Sequence, residues 1–343
     1  MRTTFLRRAG IAALLVLAGA AAFGATPARA ASSPVGFVIL PFENTSEAAA
    51  LDWLQNGLAF HTGEHLKACG AAVVEEEDRA VFLEGNGIPS GASLTLASAL
   101  ELGRKMRARS TGLRPDRQVL GRFSVQEGDV TVQIRVIDLE QERARPWQQR
   151  QGRLIDLLAV HAGLMEGLGH DAGVRGCGGE ETDPSPPILA FETYTRAMAE
   201  SEPKKRLSLL RRAVQEFPGY PQASYQAALL QARAERWDEA SETLQAMAGE
   251  AIPYAADAHL LGAAVALQRK DAATAAAQAR LALQRAPSAR GHALLGRALA
   301  AQGDMPGARK EQERAMALDP SEPEVEDLRR ILDGGTPLGG KPQ

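Results

Sequence analysis

Two hydrophobic rhythms divide the chain. Up to about Leu168, short apolar stretches alternate with helical stripes. From Ala190 to Leu332, alanine-rich helical stripes recur with one period. Val35–Leu40 (VGFVIL) is apolar on both faces, the mark of a central buried strand. Leu51, Leu54, Leu58, His65 and Cys69 share one helical stripe, which Gly70 is placed to end. Ala71–Glu75 reads as a second strand, Glu84–Gly91 as a glycine-rich loop and Leu94–Arg107 as a second helix. Val119, Gly121, Phe123 and Val125 alternate with polar residues, as do Val130, Val132, Ile134 and Val136. With Gln126-Glu127-Gly128-Asp129 between them, these predict a hairpin wet on one face. A shorter strand near Trp147–Gly152 and a third helix striped by Leu154, Leu158, Met165 and Leu168 follow. The pattern predicts an α/β unit with a mixed sheet of about four or five strands.

The second rhythm is a repeat. Pro218, Pro253, Pro287 and Pro320 stand 35, 34 and 33 residues apart, and Ala240, Ala275 and Ala308 stand 35 and 33 apart. Gly262 and Gly296 each follow a Leu-Leu pair. That period is the mark of a helix–turn–helix solenoid. Small residues sit where paired helices touch, and larger ones fill the space between repeats. Asp271 and Asp304 fall in the turns, Trp237 stands where the pattern favours an aromatic residue, and Arg206 replaces the small crossing residue of a degenerate first unit. About four units are expected, closed by a charged helix at Glu322–Leu332 that shields the last apolar face. Between the two rhythms, residues 171–187 are rich in Gly, Asp, Glu and Pro and read as a flexible linker. Residues 334–343 read as a disordered tail.

These residues resemble known families. VILPFENTS, a helix opening Asp52-Trp53-Leu54 with Gly57-Leu58, GIPSGASLT before the second helix, and a hairpin carrying VLGRF and VTVQIRVIDLE look together like the TolB N-terminal α/β domain. They are similar too to the related domain that precedes tetratricopeptide (TPR) repeats in bacterial exported proteins. The resemblance covers roughly residues 33–170. It departs from the family at Arg114-Pro115-Asp116-Arg117, where an apolar entry to the strand is usual. The TPR pattern is matched best at Ala289–Ser321. The resemblance implies a TolB N-terminal-like α/β domain over residues 31–170, then an all-α TPR solenoid over residues 188–333. It implies a non-catalytic domain used in protein contacts.

Composition adds a compartment. Arg2, Arg7 and Arg8 precede an apolar run from Ile11 to Phe23, and Ala28-Arg29-Ala30 is a small-x-small cleavage site. Residues 1–30 therefore read as a signal peptide, with an uncleaved anchor as the alternative. Arg7-Arg8 lacks the apolar pair of a twin-arginine signal, so ordinary export is expected, into the periplasm or the medium. After the signal, 35 basic side chains face 42 acidic ones, a formal charge of −7. That argues against nucleic acid or an anionic membrane as the main partner. After the signal, no integral membrane span is expected. Cys69 and Cys177 are a candidate disulfide in an exported protein; the alternative is a buried Cys69 and a free Cys177.

The chemistry-bearing motifs are few. His61-Thr62-Gly63-Glu64-His65 matches H-x-x-E-H, in which His61 and His65 could share zinc and Glu64 activate water. A third ligand is needed, with Glu140 or Glu142 downstream, and His65 falls on the core-facing stripe. No nucleophile elbow and no P-loop is present. The basic run from Arg104 to Arg117 reads as a solvated face. The expected site is the solenoid groove. If the register holds, Phe191, Tyr225, Arg233, His259, Arg290 and Arg297 turn inward from successive first helices, with Thr195, Met198 and Leu229 beside them. An aromatic start and an arginine-rich end suit an extended peptide. The reading is a non-catalytic adaptor without a cofactor, binding a protein or peptide partner. Its alternatives are a zinc hydrolase on His61 and His65 and a self-associating structural protein.

Overall fold

The computed structural model describes residues 35–89, 91–109, 113–172, 174, 186–247 and 255–335. The signal-peptide reading, most of the linker reading, most of the tail reading and Cys177 fall outside them.

The first half is a mixed sheet with helices on both faces. Its strands are β1 (Gly36–Ile39), β2 (Glu43–Asn44), β3 (Ala72–Val73), β4 (Arg117–Gln126), β5 (Asp129–Asp138), β6 (Arg143–Ala144) and β7 (Gln148–Arg153). The main path runs β3-β1-β4-β5-β6, with β2 added on β4 and β7 on β5. Where four or five strands are expected, the described residues form seven, because β2 and β6 are two-residue segments that leave no periodic trace. β1 runs parallel to β3 and β4, while β4, β5 and β7 form an antiparallel meander. Glu127 and Gly128, at φ 52° and 88°, close the β4–β5 hairpin in the left-handed conformation that matches strand twist.

The helices are α1 (Trp53–Ala68), α2 (Glu76–Gly85), α3 (Leu96–Arg109) and α4 (Leu157–Ala172). β1 explains its own sequence. Phe37 and Ile39 join a core with Leu54, Leu58 and Met165 on the α1/α4 face, while Val38 and Leu40 join Leu83, Leu102 and Met106 on the α2/α3 face. No helix was expected at α2. Only Arg79 and Leu83 are buried there, too few to show a period, and Glu76, Glu77 and Asp78 hold the first turn through the helix dipole instead.

In the second half, the described residues form helices joined by short turns. The helices are α5 (Ile188–Ala199), α6 (Pro203–Glu216), α7 (Pro221–Arg233), α8 (Trp237–Ala246), α9 (Ala255–Gln268), α10 (Ala272–Arg285), α11 (Ala289–Ala301), α12 (Met305–Leu318) and α13 (Pro323–Leu332). They pack in consecutive pairs, with α13 against α11 and α12. Ala240, Ala275 and Ala308 are fully buried where paired helices cross. Asp271 and Asp304 are caps: their carboxylates accept the Thr274 and Gly307 amides at 3.0 and 2.9 Å. Glu235, Lys270 and Gly303 occupy the same turn position with φ of 60°, 60° and 85°.

The two halves share a core through α1 and α5. Phe191 of α5 is 2% exposed and belongs to the sheet's apolar cluster. It packs edge-on against Trp53 and His61 at centroid distances of 5.7 and 6.0 Å. Gly57 makes the approach possible: a Cβ there would stand 3.1 Å from Thr195 Oγ1 and 3.3 Å from the Phe191 ring. We therefore predict that Gly57→Leu destabilises the chain by about 1–3 kcal/mol through overpacking. Chemical denaturation checks this, and a midpoint equal to wild type would refute the shared core.

Candidate functional site

In the H-x-x-E-H stretch, His61 and His65 lie near each other and near His161, while Glu64 faces elsewhere. His61 Nδ1 lies 2.8 Å from Nδ1 of His161 on α4, and His161 Nε2 lies 3.0 Å from the Thr62 hydroxyl, which donates to the Leu58 carbonyl. Burial holds His61 down to about 4 and keeps His161 well below the ordinary histidine range, so this is a neutral imidazole pair inside the core. Glu64 faces the opposite way, and Glu142 lies 3.3 Å from Arg104. Among the described residues, no three His, Cys, Asp or Glu side chains gather to hold a metal ion. Helical spacing puts His61 toward His161 and Glu64 toward the other side of α1.

Glu64 instead lines a cleft of about 480 Å³ between the two halves. One wall is α1, β3 and the start of α2; the other is the inner face of α5, α7, α9 and α11. Ile39, Gly63, Val73, Val74, Met198, Leu229 and Leu230 supply apolar surface. Charge surrounds it: Glu64, Glu75, Glu76, Glu77 and Asp257 against Lys67, Arg79, Arg206, Arg233 and Arg290. Lys67 Nζ stands 3.8 Å from Glu64 and 2.9 Å from Glu75. Arg79 is buried, donates to the Ile39 carbonyl at 2.9 Å and stands 3.4 Å from Glu76. Arg206 caps α5 by donating to the Glu200 carbonyl at 2.8 Å, and reaches Glu77 across the cleft at 3.9 Å. The residue that looked misplaced at a helix crossing thus bridges the two halves.

Burial raises the Glu64 carboxyl to about 8, with Glu75 and Asp257 adding to the rise against Lys67. Burial likewise raises Glu76 to about 7, opposed by Arg79 and Arg206. One oxygen of each, Oε2, is buried without a hydrogen-bond partner.

The predicted groove residues divide. Tyr225, Arg233 and Arg290 line the cleft together with Met198 and Leu229. Phe191 does not: it is covered by α1, with Thr195 beside it. His259 turns toward α10, its Nδ1 2.7 Å from Gln278 Oε1. Arg290 and Arg297 meet the closing helix, 3.1 Å from Glu324 and 3.6 Å from Asp327. The arginine-rich end is therefore matched from within the chain. α1 and the end of β3 bring Lys67 to Glu75, and the docking of the two halves adds Asp257; the sequence pattern marks none of the three. Cys69 is disulfide-bonded, and the other cysteine of the chain lies outside the described residues.

No protein-family model matches the chain, and no curated protein matches it in sequence. Solved structures resemble parts of it. MamA (residues 41 to the end) from Desulfovibrio magneticus is 20% identical, covering 43% of this chain and 83% of that one at a TM-score of 0.39. Lipoprotein GNA1162 from Neisseria meningitidis is 16% identical over 35% and 81%, at 0.30. The LpoB C-terminal domain from Salmonella enterica is 11% identical over 36% and 87%, at 0.26. Likeness at this level assigns neither a family nor an activity.

The buried groups predict a pH profile. The lowered histidines bind fewer protons when folded, so their effect is to reduce stability as pH falls from 6.5 toward 4. The raised carboxyls keep protons when folded that the unfolded chain has lost, so stability falls as pH rises from 4.5 to 8. Above pH 6.5 the carboxyls dominate. Stability should decline from there to pH 8, at no more than about 1.4 kcal/mol per pH unit for each group. Glu64→Gln should flatten the decline. Thermal melts across this range check it, and a wild-type profile flat from pH 6.5 to 8 would contradict it.

Proposed function

We propose that the chain is a non-catalytic adaptor that holds an extended segment of a partner protein in the cleft between its two halves. The observation that carries this is the cleft itself. It is a two-walled space with apolar surface and a charged rim, at the inner face of a helical array. Its chemistry suits binding. Lys67 pairs with Glu75 and Arg79 with Glu76, and among the described residues no serine, threonine or cysteine lines the cleft. The zinc-hydrolase reading loses support because His61 is engaged with His161. The signal pattern of residues 1–30 supports an encounter in the periplasm or outside the cell.

The test is site-specific photocrosslinking. A benzophenone side chain at Gln226, on the cleft wall, should crosslink to one defined segment of a partner in an envelope extract. The same probe at Arg211, on exposed α6, should not. Equal crosslinking from both positions would overturn the cleft as the site, and crosslinking to a second copy of this chain would favour self-association.

A further inference from the structure

We infer that the cleft receives a lysine or arginine side chain of the bound segment beside Glu64. This rests on the reading of the cleft as the partner site and names what that site selects.

The first argument is charge balance. Glu64 on α1, Glu75 after β3 and Asp257 on α9 all line this end of the cleft with Lys67. Lys67 Nζ is committed to Glu75 at 2.9 and 3.2 Å and lies 3.8 Å from Glu64. Among the described residues, the cation that acts on Asp257 beside Lys67 is Arg290, which is matched by Glu324 at 3.1 Å. Four carboxyl groups therefore meet two cations. An entering carboxylate would deepen the imbalance; an ammonium or guanidinium corrects it.

The second argument is an unused acceptor. Glu64 Oε2 is buried at the cleft wall and accepts no hydrogen bond. A carboxyl left this way is costly, and a charge-assisted donor removes the cost. The third is shape. Met198, Leu229 and the Tyr225 ring form the facing wall, within a volume of about 480 Å³. Lysine and arginine carry a long aliphatic stem for such a wall and a charged end for Glu64.

The local field agrees. Burial alone would lower the Lys67 ammonium, yet Glu64, Glu75 and Asp257 raise it. Tyr194 and Tyr225 are pushed up by burial, with Glu64 adding to both. Glu64 itself, held at about 8, is largely protonated at neutral pH. An incoming cation displaces that proton to solvent, and the carboxylate formed pairs with the cation.

A random nonapeptide display library is the probe. It is selected on the full exported chain, on Leu229→Glu and on Glu64→Gln. Peptides bound by wild type and lost on Leu229→Glu define cleft ligands. The inference expects one position enriched in Lys or Arg, and at least a tenfold weaker Kd for Glu64→Gln. It also expects net proton release for wild type at pH 7, seen as different binding heats in phosphate and Tris, and none for Glu64→Gln. Circular dichroism melts identify any variant that fails to fold, and Glu64→Asp, which keeps the carboxyl, should retain the preference. Cleft ligands enriched in neutral or acidic residues would overturn this inference and leave the cleft reading standing. A selection in which every ligand survives Leu229→Glu would overturn both.

Discussion

The architecture depends on the seat that Gly57 offers to Phe191. A helix without a side chain at one position lets the first helix of the array lie flush against the sheet domain, and a buried phenyl ring joins two cores. Burying a ring of that size is worth about 1.5–3 kcal/mol. The larger effect is geometric. The contact covers one end of the array's inner face, and the rest of that face, with α1, becomes the cleft. Arg206 secures the same junction from the other side, capping α5 while facing Glu77.

That junction also explains the unusual electrostatics. α1 alone would expose Glu64 and Lys67 as an ordinary surface pair of little consequence. Facing the array, Glu64 loses solvent and meets Asp257 and Glu75, and its carboxyl becomes weakly acidic. The opposite side of the same helix carries His61 into contact with His161. α1 thus contributes His61 to an uncharged imidazole pair with His161 of α4, and on its other side contributes Glu64 to a group of carboxyls completed by Glu75 and Asp257. The first is a cost of packing. The second is tolerable where a ligand supplies the missing cation.

Local order was legible in the chain; long-range placement was not. The alternation of Val119–Val125 and Val130–Val136 announced the hairpin, and Ala240, Ala275 and Ala308 marked helix crossings that are fully buried. A mixed sheet followed by a helical region could be read from those two rhythms. α2 escaped because acidic residues in its first turn, not an apolar stripe, stabilise it. Phe191 was placed in an open groove because its helical position faces inward, and nothing in the chain shows that α1 covers that position. Arg290 and Arg297 suit a partner's carboxylates by pattern alone, and nothing in the chain shows that α13 places Glu324 and Asp327 beside them. The cleft was illegible for the same reason. Its walls lie far apart in sequence, and only the angle between the halves makes them one site.

The most direct test of the central claim is hydrogen–deuterium exchange of the full chain, with and without a captured partner segment. The account predicts added protection on both walls together, at Phe60–Lys67 of α1 and Tyr225–Arg233 of α7. Protection confined to the outer helices α6 and α8, with both walls unchanged, would contradict it.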